Sequence, residues 1–138
     1  MSTLHLTITS LGAVVVDTSE VVSLRAEDAS GGFGVLPGHA DFLTTLEIGV
    51  VSWRTAAGAS HCAVRGGVLT VEDGRSVAIA TREAIADADL DRLESTVLRE
   101  FEARDEAERK ARTESVRMEL RAMREILRYL RPGSVRVE

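Results

Sequence analysis

Three histidines, a single cysteine and one adjacent pair of carboxylates are the side chains in this sequence with the most reactive chemistry. They do not combine into a site. His5, His39 and His61 stand far apart along the chain, and Cys62 alone cannot complete a soft-metal site. Glu27 and Asp28 are neighbours, and neighbours in extended chain point to opposite faces, which makes them a poor acid/base pair. No lysine-bearing phosphate loop and no Gly-x-Ser-x-Gly elbow is present. These residues propose no catalytic centre, no metal and no cofactor. A sandwich enzyme whose site assembles only in space stays open as one class.

The chemistry that the residues do support is recognition, and two stretches carry it. The first is Gly31-Gly32-Phe33-Gly34-Val35-Leu36-Pro37-Gly38-His39-Ala40-Asp41-Phe42-Leu43. It is too apolar for a solvated loop and too rich in Gly and Pro for a buried strand. A short strand running into a preset turn, with its backbone close to something else, satisfies both. It reads either as a tight corner of an all-β domain or as a contact with a partner, with Gly32, Phe33, Val35, His39 and Leu43 as candidate contact residues. The second stretch is Arg117, Arg121, Arg124, Arg128 and Arg131, at spacings of four, three, four and three. Each follows an apolar residue: Val116, Leu120, Met123, Leu127 and Leu130. A basic ribbon therefore runs along one edge of an apolar helical stripe, opposed only by Glu114, Glu119 and Glu125. Such a run is either a solvated face or a docking surface for a partner's carboxylates, which Arg forks bind well. A membrane-surface role suits it less, since the stripe lacks Trp and Phe.

The elements that position these stretches fall in two halves that meet near Ala86. Residues 1–86 show short apolar runs broken by turn signals: Leu4–Ile8, Ala13–Val16, Val21–Leu24, Ile48–Trp53, His61–Val64, Val68–Val71 and Val77–Ala80. Leu11-Gly12, Ala56-Ala57-Gly58, Gly66-Gly67 and Asp73-Gly74 punctuate them. With no helix between the strands, this half predicts an antiparallel β-sandwich or flattened barrel. Residues 87–138 are helical. Asp87 or Asp89 provides an N-cap, and Leu90, Leu93, Val97 and Phe101 share one face. Large apolar residues vanish between Glu102 and Ser115, then the Val116–Leu130 stripe begins. One long helix and a two-helix antiparallel hairpin both fit. The hairpin, turning within Arg112–Ser115 and capped by Thr113 or Ser115, is the expected resting form. No Gly or Pro forces that turn, so the segment can also extend. Arg131-Pro132-Gly133 ends the helical pattern, and a frayed tail follows.

Composition narrows the class. The chain has 138 residues, 44% of them hydrophobic but only 4% aromatic, so one core of Val, Leu, Ile and Ala is expected. A net charge of −5 argues against nucleic acid as a partner. No apolar run approaches a membrane span and no secretory leader pattern opens the chain. A lone cysteine in an apolar stretch suits a reduced, buried thiol in a cytosolic compartment. Lys110 is the only lysine beside sixteen arginines.

Gly32–Thr44 resembles the signature of the epsilon subunit of F-type ATP synthases. Ala63-Val64-Arg65-Gly66-Gly67-Val68-Leu69-Thr70-Val71 is similar to that family's second marker, and Thr81-Arg82-Glu83-Ala84-Ile85 sits where the family closes its sandwich. The resemblance covers nearly the whole chain. It implies a sandwich of about ten strands that contacts the gamma subunit and the c-ring, followed by a regulatory two-helix domain. In an extended state those helices reach the alpha and beta catalytic subunits and restrain ATP hydrolysis, which gives the arginine ribbon an acidic partner. It further implies a non-catalytic subunit, peripheral on the cytoplasmic face of the bacterial inner membrane, without direct membrane insertion. Low similarity outside these motifs leaves room for a divergent, alternate-operon type moving protons or sodium; that choice belongs to the c-ring.

Two departures bear on the site. Members that bind ATP carry Ile/Leu-Asp-x-x-Arg-Ala at the first helix, where this chain has Leu90-Asp91-Arg92-Leu93-Glu94-Ser95. Leu90 and Asp91 match, but Glu94 and Ser95 replace Arg and Ala, so at most weak ATP binding is expected. Many members also place an acid where this chain has Gly32, so the c-ring contact here rests on backbone and Phe33. The competing class is a free-standing β-sandwich adaptor with a helical partner-binding hairpin.

Overall fold

A computed structural model describes residues 2–130. Its first part contains eight strands: β1 (Leu4–Ser10), β2 (Ala13–Val21), β3 (Ser23–Asp28), β4 (Gly31–Val35), β5 (Phe42–Thr55), β6 (Gly58–Glu72), β7 (Ser76–Thr81) and β8 (Ala84–Asp87). They join in the order β2-β1-β7-β6-β5-β3-β4, with β8 also paired to β6. All pairings are antiparallel except β1 with β7, which is parallel.

The strand count falls short of ten because β5 and β6 are long and each serves both layers. The first half of β5 and the second half of β6 lie beside β7, β1 and β2. The second half of β5 and the first half of β6 lie beside β3, β4 and β8. Their inward residues change parity on the way. Leu46 faces the core on one side of the bend in β5, and Val51 and Trp53 on the other; β6 does the same with Cys62 and Val64, then Leu69 and Val71. A strand can switch faces only where its alternation is broken. In β6 that place is Gly66-Gly67, both at positive φ. The pair expected as a turn is therefore a corner inside a continuous strand. A side chain on Gly67 would overlap the Ala80 carbonyl oxygen of the neighbouring strand, so space as well as dihedral demands glycine there. Leu11-Gly12 and Asp73-Gly74, by contrast, form hairpin turns as their sequences predict.

The space between the layers is filled by Leu4, Leu6, Ile8, Val21, Leu24, Val35, Leu69, Ile79 and their neighbours, with Cys62 wholly buried among them. A second, smaller core forms outside one layer. There Leu93, Val97 and Phe101 cover Ala63, with Ile48, Val50 and Leu98 packed alongside.

Those three side chains come from the start of the helical segment. Asp89 caps it, its carboxylate accepting from the Arg92 amide at 3.3 Å, and Asp87 pairs with the Arg92 guanidinium at 3.2 Å. A short turn α1 (Leu90–Arg92) leads into a π-helical turn (Leu93–Val97), in which the Leu98 amide reaches back to the Leu93 carbonyl. From there α2 runs unbroken over Leu98–Leu130. The two-helix hairpin is thus corrected to one long helix. The reason lies at the expected turn. Thr113 does not cap a second helix; its hydroxyl donates to the Arg109 carbonyl at 3.0 Å inside the first. Arg109 also pairs with Asp105 at 2.7 Å and Glu106 at 3.5 Å, acids placed one turn ahead of a base, the order that favours helix. Without a Gly or Pro, nothing opposes these terms.

Two compact units result, Met1–Glu102 and Ala103–Glu138, so the first helical turns pack with the sandwich. Arg131 and the Arg131-Pro132-Gly133 stop lie outside the described residues.

Candidate functional site

The glycine-rich stretch forms one tip of the sandwich, and two interlocking turns hold it. Leu36-Pro37-Gly38-His39 closes with the His39 amide on the Leu36 carbonyl at 3.1 Å, Gly38 taking a φ of 86°. Pro second and a left-handed Gly third make this a type II turn. Against it lies the Asp73-Gly74 hairpin turn. The Gly38 amide donates to the Gly74 carbonyl at 2.9 Å, and the Asp73 amide donates to an Asp41 carboxylate oxygen at 3.0 Å. The tip is thereby fixed in shape.

Its side chains divide. Val35 is fully buried in the sandwich core, so it is corrected from contact candidate to core residue. Strand alternation turns the next residue outward, and Leu36 is 61% exposed. Leu43 is 68% exposed and Phe42 lies at the surface beside it. Phe33 is half-buried and meets the Phe42 ring edge-on, centroids 5.7 Å apart; His39 meets Phe42 in the same way at 5.7 Å. The His39 Nδ1–H donates to the Ala40 carbonyl at 2.7 Å, so this histidine braces its own loop. Gly32 is exposed, with a neighbour no nearer than 3.9 Å to a Cβ placed there. The structure thus brings Phe33 and His39 against Phe42, whereas Leu43, next along β5, points to the other side of the sheet. Sequence reasoning overlooked Leu36 and Phe42; the alternation from a buried Val35 was the signal for the first.

At the base of this tip Asp28 accepts from Ser30 and, at 2.8 Å, from the Thr44 hydroxyl. These bonds, the Ser30 side chain's foremost, hold its carboxyl below the ordinary range. Arg65, buried in β6, donates to Glu83 at 3.1 Å and ties the bend to the β7–β8 connection. On the outer face that carries the second core, the Ser52 hydroxyl and His61 Nδ1 lie 2.7 Å apart across β5 and β6.

A cleft of about 550 Å³ opens beside that second core. Leu90, Glu94, Leu98 and Glu102 line it from the helical side, and Arg25 and Glu27 from β3. Asp91, the other residue matching the ATP motif, is exposed and does not line it. Its carboxylates Glu27, Glu94 and Glu102 outnumber the one guanidinium, a poor setting for phosphate. Among the described residues no group of His, Cys, Asp and Glu could hold a metal ion, and no helix is long and apolar enough to cross a membrane.

In the other unit, Arg117, Arg121, Arg124 and Arg128 lie on α2 and are exposed. So is the stripe beside them: Val116, Leu120, Met123, Leu127 and Leu130 are all more than half exposed. Within this unit the ribbon and stripe form one continuous amphipathic face.

Comparison with known proteins gives these surfaces a context. Residues 3–87 match the family model described as ATP synthase, Delta/Epsilon chain, beta-sandwich domain. The chain is 49% identical over 128 residues to the ATP synthase epsilon chain 2 of Cereibacter sphaeroides, covering 92% of this chain and 88% of that one. It is 44% identical over 132 residues to the ATP synthase epsilon chain 2 of Paraburkholderia xenovorans, covering 95% of each. Among solved structures, a chain of the Euglena gracilis mitochondrial ATP synthase OSCP/F1/c-ring assembly aligns with a TM-score of 0.58 at 24% identity, over 68% of this chain and 61% of that one. A chain of the Tetrahymena thermophila mitochondrial central stalk/c-ring aligns at 0.52 and 11% identity, over 59% and 65%. Those two likenesses are of fold.

Proposed function

This chain belongs to the ATP synthase delta/epsilon family, and from that premise we propose that it is a non-catalytic central-stalk subunit with two separable tasks. The sandwich holds the chain in the assembly, against the gamma subunit and the c-ring. The long helix restrains ATP hydrolysis when its basic, apolar face engages the alpha and beta catalytic subunits. The single observation that carries this reading is the extent of the likeness: a relative named as an epsilon chain matches over 95% of the sequence, helix included.

Physical features support each task. The tip offers exposed, uncharged side chains in Leu36, Phe42 and Leu43, which suit contacts with partner subunits. The helix offers unpaired apolar surface edged by arginines, which suits an acidic, partly apolar partner. On this reading the chain sits peripherally on the cytoplasmic face of a bacterial inner membrane. The acidic lining of the cleft, with Glu94 where ATP-binding members have arginine, supports no tight nucleotide site. Titration calorimetry of ATP into the isolated chain is expected to give at most weak binding; a micromolar or tighter constant refutes this part.

Co-purification tests the assignment. A tagged chain is expected to bring down gamma and the c-ring in stoichiometric amounts. A free-standing adaptor would not, and such a result would end the stalk reading.

A further inference from the structure

The loop that forms the tip has few ties of its own. Residues 36–41 join β4 to β5 without entering either strand. Within the loop, the His39 amide bonds the Leu36 carbonyl and the His39 ring bonds the Ala40 carbonyl. The same ring rests edge-on against Phe42. These contacts give the loop a shape but do not fix its height and angle on the sandwich. Two further bonds do, and both end on the turn between β6 and β7. The Gly38 amide reaches the Gly74 carbonyl at 2.9 Å, and the Asp41 carboxylate accepts from the Asp73 amide at 3.0 Å. One ties the middle of the loop, the other its last residue.

The turn that receives them is itself well held. Asp73 and Gly74 take φ of 55° and 60°, and the Arg75 amide closes on the Glu72 carbonyl at 3.1 Å, a type I′ hairpin. Behind it β6 and β7 pair without interruption from Glu72 with Ser76 to Val68 with Ala80. The His5 amide adds a bond from β1 to the Arg75 carbonyl at 2.6 Å. Gly74 is buried although it stands at a hairpin tip, because the Gly38 turn covers it. A Cβ on Gly74 would lie 2.7 Å from the Gly38 Cα, so the two turns meet backbone to backbone.

The two tying bonds differ in kind. The one between Gly38 and Gly74 needs no side chain. The one from Asp41 does, and among the described residues it is the single side-chain hydrogen bond that joins residues 36–41 to another element. A carboxylate acceptor also makes it charge-assisted, the stronger kind.

We propose that Asp41 is a positioning residue: by holding the Asp73 amide, its carboxylate clamps the tip loop onto the β6–β7 turn and so sets how the tip is presented to its partner. It acts through the bond it accepts and not through a charge offered to the partner. A loop ordered in advance spares the partner the entropy of ordering it, so loss of the clamp weakens binding without removing a contact atom. The inference rests on the reading of the tip as a contact within the ATP synthase and adds the side chain that orders it.

Amide exchange in the full-length chain and its retention in the assembly test it together. In Asp41→Ala the Gly38, His39 and Asp73 amides are expected to exchange at least tenfold faster, with amides inside β5 and β6 unchanged. The purified ATP synthase assembly is expected to release this variant at least tenfold faster. Asp41→Asn keeps an acceptor oxygen without the charge and is expected to restore both. Unchanged release of Asp41→Ala overturns the inference and leaves the subunit assignment intact, since the chain is then still held. If Asp41→Asn is released as fast as Asp41→Ala while its loop amides stay protected, the charge meets the partner directly, and the inference fails too. Gly74→Ala wedges the same two turns apart and is expected to speed release likewise; undiminished retention counts against the clamp. Cys62, the only cysteine and wholly buried, reports on the fold by staying unreactive to maleimide. Should it react in Gly74→Ala, the decision falls to the two Asp41 variants. Failure of the unaltered chain to co-purify with any ATP synthase subunit removes the assignment and the inference together.

Discussion

Burial pushes the Cys62 thiol up to about 11 from its ordinary 9.0. The unfolded chain therefore ionises this group first as pH rises. Its contribution to stability is whole below about 9 and declines towards 11. Denaturant midpoints are expected to fall through that window, and Cys62→Ala to make the fall shallower; an unchanged slope contradicts the assignment. The sequence made this residue legible, because a lone cysteine between apolar neighbours is a core residue far more often than a reactive one. The tip was legible only in part. Pro37-Gly38 announced its turn, but whether Val35 or Leu36 faced inward depends on where β4 ends, a tertiary fact. Phe42 became visible only when its ring met both Phe33 and His39.

At the scale of elements, the bend in β6 and the start of the helix matter most. Gly67→Ala is expected to destabilise by at least about 2 kcal/mol, since both dihedral and space oppose it. Thermal unfolding would show this, and a neutral result would mean that the bend is not fixed there. Gly66-Gly67 looked like a hairpin turn because composition alone does not distinguish a chain that reverses from one that changes sheets. Phe101→Ala should cost about 3–5 kcal/mol through loss of the second core, whereas Leu120→Ala, on the exposed stripe, should stay within about 0.5 kcal/mol in the isolated chain. Similar effects at both sites in chemical denaturation would contradict the division at Glu102. That division was half-visible in the sequence, where large apolar residues vanish after Phe101. The helix–hairpin choice was not, because it turned on whether the Thr113 hydroxyl capped a new helix or bonded back within the old one.

In the whole molecule, the proposed tasks of holding and restraining fall to different parts of the chain. The sandwich with its first helical turns, through Glu102, is one unit with its own two cores; the remaining helix exposes its apolar stripe and its arginines. Family membership was legible because the glycine-rich tip and the Gly66-Gly67 bend are backbone requirements, which fix residue types. The arginine ribbon is a surface pattern and left its role open. The most direct measurement is ATP hydrolysis by the assembled enzyme carrying either the full chain or one ending at Glu102. The shortened chain is expected still to assemble stoichiometrically, and hydrolysis to rise. Assembly with an unchanged rate would contradict the proposed restraint.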